Sequence, residues 1–368
     1  MTMIIDGTLG ATFNDGSLQA AAASPYVLKN RIINGDMVID QRNAGASVAL
    51  GAGVTAYSAD RFRIENNTTG TATAQQVSDA PTGFSNSLKY TVTATDASLA
   101  STENAFIQQN IEGFNTADLS FGTASAKTIT ISFWVKSSLT GTFGGSIINN
   151  SYSRLYPYSY TISAANTWEY KTVTISGDTT GTWIGATNSI GLRLMFCLAA
   201  ASDRVATAGA WTTSLGFGPT GQTNLMATNG ATFYITGIQL EIGTSATPFE
   251  RRLYGQELLL CQRYYEKSYD YSVVPGTASS ASSCAVMHSV NTGANQGLKF
   301  QVVKRATPTL TGYSYNTGTI NNWTVASVGD GAVTFGNIGL TGWRFTQVVG
   351  SSGTYNWAEG HYTASAEL

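Results

Sequence analysis

The sequence predicts an all-β protein built mainly as an antiparallel sandwich, and three observations predict it. Charged residues make up 11% of the 368 positions, against about 25% in ordinary soluble domains. Glu and Lys, which favour helices, are therefore scarce. The chain has 39 glycines and 18 tyrosines, with Thr and Val abundant, the composition of short strands joined by many turns. Alternating apolar patterns also recur along the chain without helical intervals, which points to antiparallel sheets. The 42% apolar content is ample for a core and excludes a disordered chain. At roughly 100–200 residues per domain, the length suits about two domains.

Residues 1–29 read as a separate segment. Short apolar stretches at Met3–Ile5 and Leu9–Phe13 are divided by Asp6-Gly7 and Asn14-Asp15-Gly16, which are hairpin turn signals. An Ala-rich stretch follows from Leu18 to Ser24, and the segment buries too little to stand alone. A main unit spans 30–250. Its strand signals are Ile32-Ile33, Asp60–Ile64, Leu88–Val92, Thr128–Lys136, Tyr170–Ile175, Ile190–Cys197 and Thr232–Ile242. The clearest is Thr128–Lys136, where Ile129, Ile131, Phe133 and Val135 share one face. Thr247-Pro248 marks a break. The one credible helix runs from about Leu253 to Lys267, with Leu258, Cys261 and Tyr265 at helical spacing, and links the units over 251–268. A second, smaller β-sandwich is expected over 269–368, from Ala285–Val290, Leu298–Val303, Trp323–Val328 and Gly342–Val349, with turns at Ser279–Ser283 and Gly350–Gly353.

Several chemistries find no support. A net charge of −2 gives no footprint for nucleic acid. The longest apolar run, Leu194 to Ala201, falls far short of the roughly 20 residues that span a bilayer, and the N-terminus carries no signal-peptide pattern. Cys197, Cys261 and Cys284 are too few and too far apart for a disulfide framework or a zinc site, and read as buried thiols. His288 and His361 lie in Ser/Gly-rich β sequence without metal-ligand spacing, and read as surface or satisfied side chains. Gly216-Phe-Gly-Pro-Thr-Gly221 matches Gly-x-Gly-x-x-Gly, but no helix follows it, so it reads as a glycine loop. No cofactor is implied.

Two kinds of candidate remain. Glycoside hydrolysis needs paired carboxylates, and Asp36, Asp40, Asp60, Glu65, Glu103, Glu112 and Glu241 are the candidates. Asp36 and Asp40 flank Met37-Val38-Ile39 and would be the ligands of a structural calcium at the sandwich rim; turn hydrogen bonding is the simpler reading. Aromatics are the second kind. Tyr156, Tyr158 and Tyr160 alternate, so their rings share one strand face. Tyr313, Tyr315, Trp323, Trp343, Tyr355 and Trp357 gather in a charge-poor region, the last two beside glycines that suggest an exposed loop. Such rings suit glycan stacking, core packing and interfaces between chains alike.

A resemblance is carried by Asn30–Arg42 (NRIINGDMVIDQR) with Ala59–Phe62, and by Gly237–Arg252 (GIQLEIGTSATPFERR) continuing to Cys261–Tyr265. Together with Ser132–Lys136 and the opening Ile5–Thr8 and Phe13–Gln19, these stretches resemble bacteriophage tail fibres and related virion structural proteins. The resemblance implies a jelly-roll domain similar to carbohydrate-binding modules over 30–250, with a C-terminal receptor-binding tip over 269–368. It also implies attachment through residues 1–29 to the phage tail, baseplate or another virion protein, a homotrimer, and host cell-surface glycan as the ligand. The expected location is the virion surface, and the expected role is adsorption without catalysis. Alternatives are a tailspike-like enzyme that cuts polysaccharide, a head or neck decoration fibre and, more weakly, a bacterial lectin.

Overall fold

The computed structural model describes residues 29–288, 297–326, 328–348 and 356–368, together with three short strands, Ile4–Asp6, Gly10–Thr12 and Leu18–Gln19. Those three strands pair in sequence order as a small antiparallel sheet. The rest of the 1–28 segment, the Gly350–Gly353 turn and Tyr355 lie outside the described residues.

Two six-stranded antiparallel sheets pack face to face as a jelly-roll sandwich. The first runs Glu169–Ile175, Ile129–Ser137, Thr232–Ile242, Ser87–Ala94, Thr71–Val77, Val48–Leu50. The second runs Leu155–Ile162, Gly141–Ile148, Ile190–Ala200, Asn104–Glu112, Phe62–Asn67, Val54–Ala59. Alternation decides what each strand buries. Ile129, Ile131, Phe133 and Val135 are wholly buried, as expected, and meet Ile107, Phe143, Leu194 and Phe196 from the other sheet in one apolar core. Thr232–Ile242 buries Phe233 and Ile235, then Ile238 and Leu240. The inward parity switches at Gly237, which has a φ of 62° and lies where the register with Ile129–Ser137 shifts between Ser132 and Trp134. A glycine in this left-handed conformation is the usual way to seat an extra residue in an antiparallel pair.

The helix is Tyr254–Gln262, shorter than the pattern predicts. Tyr265 belongs instead to the strand Tyr265–Lys267, because the chain turns out after Arg263 to pair with Asn356–Ser365. The helix buries Glu257 and Cys261; Cys261 and Tyr264 pack with Ile33 and Ile39 in a small separate core. Ile32-Ile33, expected as a strand, is irregular, but both residues are buried.

Beyond the helix, eight strands make one sheet around Asn356–Ser365. Four others pair directly with that strand: Tyr265–Lys267, Cys284–His288, Thr309–Ser314 and Asn322–Val325. The sheet continues through Gly329–Gly336 and Gly342–Val348 to Gly297–Lys299 and curls, so that Trp343 lies 5.4 Å from Tyr362. Its core holds Trp323, Trp343, Phe345, Val286 and Tyr362. Among the described residues no helix is long and apolar enough to cross a membrane.

Candidate functional site

The first sheet turns its outer face to solvent, and there the alternation of Ile129–Ser137 places Ser132, Trp134 and Lys136. Trp134 pairs across strands with Tyr170, ring to ring at 5.4 Å, and Tyr170 is 45% exposed. Beside them Phe84 and Phe249 meet edge to face at 5.2 Å. Arg251 fastens that pair: its guanidinium lies 4.6 Å from the Phe84 ring and 5.5 Å from the Phe249 ring, and it donates to the Gly83 carbonyl. Together these residues line an open groove of about 680 Å³ with Gly237 in its wall. A Cβ at Gly237 would come within 2.7 Å of Phe84 and 3.1 Å of Trp134, so the bare backbone is what lets both rings approach.

The same face continues with Tyr234 and Trp168, whose rings are 6.1 Å apart. Lys136 sits 4.3 Å from the Tyr234 ring and 5.1 Å from the Trp168 ring, and pairs with Asp79. Trp168 Nε1 also donates to Asp79, at 3.2 Å. The Lys136 hydrogen bond holds the Asp79 carboxyl below its usual pKa. Rings fixed by cations and open to water make a shallow apolar strip edged with polar groups, a surface suited to flat amphipathic ligands.

The aromatic candidates from the sequence are dispersed. Tyr156, Tyr158 and Tyr160 do share a face, but it is the inner one. Tyr158 is buried with its hydroxyl donating to the Met195 carbonyl at 2.7 Å; Tyr160 packs on Phe133 at 5.0 Å; Tyr156 is half-buried against Trp211 at 5.2 Å. Trp323 is wholly buried and donates from Nε1 to the His361 carbonyl at 2.9 Å, and Trp343 is 3% exposed. None of these buried rings can stack on a ligand. Tyr313 and Tyr315 are half-buried, the first against Tyr269 at 6.0 Å. Trp357 is 44% exposed and lies opposite Met287 across two strands, on a strand rather than on the expected loop. The groove around Trp134 was missed because its strand reads as core. The available signal was a tryptophan at an outward position of an alternating strand.

Of the seven candidate carboxylates, Asp40, Asp60, Glu65, Glu103, Glu112 and Glu241 are tied to internal partners. Asp40 accepts from the amides of Arg42, Asn43 and Gly45, the pattern of a turn cap. Among the described residues no three His, Cys, Asp or Glu side chains could together hold a metal ion. Asp60 pairs with Arg42 at 3.2 Å and accepts from Gln41, while burial pushes its pKa up to about 6. Glu65 pairs with Arg63, and Glu112 with Arg263 at 2.8 Å. Glu103 accepts from the Ala100 amide, and Glu241 from Gln239 and Thr247. Cys197 and Cys261 are buried and Cys284 half-buried, all three free.

No family model matches the chain, and no curated protein matches it. Among solved structures it is similar to the enzymatically active domain of tailspike protein 4 of bacteriophage CBA120, at 14% identity and a TM-score of 0.29. That match covers 58% of this chain and 21% of the tailspike chain. It is also similar to a family 4 carbohydrate-binding module, at 17% identity and a TM-score of 0.27, over 57% of this chain and 98% of the module. A family 11 carbohydrate-binding module from Clostridium thermocellum, solved with a mixed-linked tetrasaccharide, matches at 15% identity and a TM-score of 0.28. It covers 52% of this chain and 96% of the module. Likenesses this distant say nothing about a ligand or an activity.

Proposed function

We propose that the protein binds glycan chains, without catalysis, in the aromatic groove on the outer face of the first sheet. The observation that carries this reading is the set of solvent-facing rings, Trp134, Tyr170, Phe84 and Phe249, around an open groove. A soluble protein gains nothing by leaving such rings in water unless something covers them. A pyranose offers an apolar face for the rings and hydroxyls for polar groups, and half-buried Thr247 lines the groove. Each contact is weak, and repeated copies would multiply it.

The setting is read from the sequence resemblance: a bacteriophage fibre or other virion surface protein that adsorbs to host glycan. In this reading residues 1–29 serve attachment, 30–250 carry the groove and 269–368 form a distal tip on which Trp357 is exposed.

The test is affinity electrophoresis in gels containing bacterial lipopolysaccharide or capsular polysaccharide. Wild-type protein should be retarded by at least one of them. Trp134→Ala and Tyr170→Ala should each weaken binding about tenfold, as loss of one stacked ring implies. Equal retardation of wild type and both variants would overturn the groove. Steady release of reducing ends from the retained polysaccharide would replace a binding protein with a depolymerase.

A further inference from the structure

The outer face of the second sheet carries an arginine that no described residue pairs with as an ion pair. Alternation turns Leu192, Leu194 and Phe196 into the core, so Arg193 and Met195 face outward. Arg193 is only 7% exposed, yet its Nε and Nη1 have no hydrogen-bond partner. Its Nη2 donates to the Asn150 carbonyl at 3.1 Å, and the Tyr152 ring roofs the guanidinium at 4.4 Å. It makes no ion pair among the described residues. Burial lowers its pKa, Tyr152 opposes this in part, and the like charge of Arg63 adds to the lowering.

An orphan acceptor stands beside these orphan donors. Arg193 is level with Asn110 on the neighbouring strand, and Met195 with Gln108, so Gln108 lies diagonally next to Arg193 on the same face. Asn110 Nδ2 donates to the Leu368 carbonyl at 2.8 Å, which leaves Asn110 Oδ1 to accept from Gln108 Nε2 at 2.6 Å. That chain of bonds fixes the Gln108 amide and leaves its Oε1 buried and unpartnered. A buried, unpaired cation is one of the costlier things a fold can keep. The free Nε and Nη1 lie on different edges of the guanidinium, so each offers a single charge-assisted donor to an anionic oxygen, and a free amide oxygen matches a hydroxyl.

We propose that Arg193 and Gln108 form a second site, separate from the aromatic groove, that takes a carboxylate-bearing sugar. The guanidinium receives the carboxylate and Gln108 Oε1 accepts a ring hydroxyl. Entry needs the Tyr152 side chain to swing aside. The loop backbone beneath it stays pinned, because Asn149 Oδ1 accepts from the Ser153 and Arg154 amides and Asn149 Nδ2 reaches the Thr182 carbonyl.

The test is calorimetric titration of the full chain with tetragalacturonate, with neutral maltotetraose and inorganic sulfate as parallel probes. Wild type should bind tetragalacturonate. Arg193→Gln should weaken that binding at least about tenfold, and Arg193→Lys, which keeps the charge but not the fork, should fall between. Arg193→Gln should leave any binding of neutral maltotetraose as in wild type, so the site stands or falls apart from the groove. Arg193→Gln should melt no lower than wild type, since it removes an unpaired buried charge. Equal affinity in wild type and Arg193→Gln, no binding in either, or a clear drop in the melting temperature of Arg193→Gln would each overturn the site. Stabilisation by sulfate without tetragalacturonate binding would overturn the sugar assignment.

Discussion

His361 is wholly buried, stacks on Tyr269 at 3.7 Å and uses both ring nitrogens: Nδ1 lies 3.0 Å from the Ser268 hydroxyl and Nε2 2.8 Å from the Ser279 carbonyl. The carbonyl can only accept, so Nε2 carries the proton and Nδ1 accepts from Ser268. Burial holds its pKa below 6.5. The unfolded chain therefore takes up a proton first as pH falls. The stability this histidine contributes is complete above about pH 6.5 and declines as pH drops toward the lowered folded value. The stability difference between wild type and His361→Gln should thus shrink between pH 7 and pH 5 in urea unfolding; a constant difference would refute it. Two of the tryptophans of the curled sheet should separate equally clearly. Trp323→Ala should cost about 3–5 kcal/mol, the range for emptying a buried aromatic site, whereas Trp357→Ala, being exposed, should stay within about 0.5 kcal/mol. Thermal melts check both. The tyrosine triplet shows what was legible in the sequence at this scale. Period-two spacing gives a shared face, and Tyr156, Tyr158 and Tyr160 do share one. It does not say which face meets the core, and Trp134 was overlooked for the same reason.

At the scale of elements, the two stretches that carry the sequence resemblance turn out to hold each other. Asn30 Oδ1 accepts from the amides of Ile32 and Leu240, and its Nδ2 donates to Ile238. The Asn34 amide donates to Glu257 at 2.5 Å, and the Asn34 side chain bridges Ile39 and Asp60. Arg252 donates to the Ile32 carbonyl at 3.0 Å and pairs with Glu257 at 3.2 Å. Gly35 runs so close to the Ile238 carbonyl that any Cβ would collide at 2.2 Å. These motifs therefore build a joint; the aromatic groove was not legible because its rings, Phe84, Trp134, Tyr170 and Phe249, come from four separate places in the chain that only folding brings together. Arg252→Ala leaves Glu257 charged and buried, so it should cost about 3–5 kcal/mol, measured by denaturant titration. A change under 1 kcal/mol would mean the joint is held elsewhere.

At the scale of the whole molecule, the two main apolar cores are tied by the small cluster of Ile33, Ile39, Cys261 and Tyr264 and by polar links. Arg263 reaches Glu112 in the sandwich, and Arg305 reaches Asn188 while also holding the carbonyls of Ala366 and Glu367. Glu367 in turn pairs with Arg42 and Arg61. These ties should make wild type unfold in one calorimetric transition, and Arg305→Ala should split it in two. A fibre-type protein should also form trimers by light scattering; a stable monomer would remove that part of the functional reading. The all-β class was legible because low charge and alternation are summed over the whole chain. Strand order was not, since it depends on pairings between residues far apart, such as Cys284–His288 with Asn356–Ser365. That last strand has four direct partners, and all of them are synthesised before it. During translation Tyr265–Lys267, Cys284–His288, Thr309–Ser314 and Asn322–Val325 must wait with open edges until the ribosome delivers their shared neighbour. This part of the protein is therefore most exposed to chaperones, proteases and mispairing while nascent.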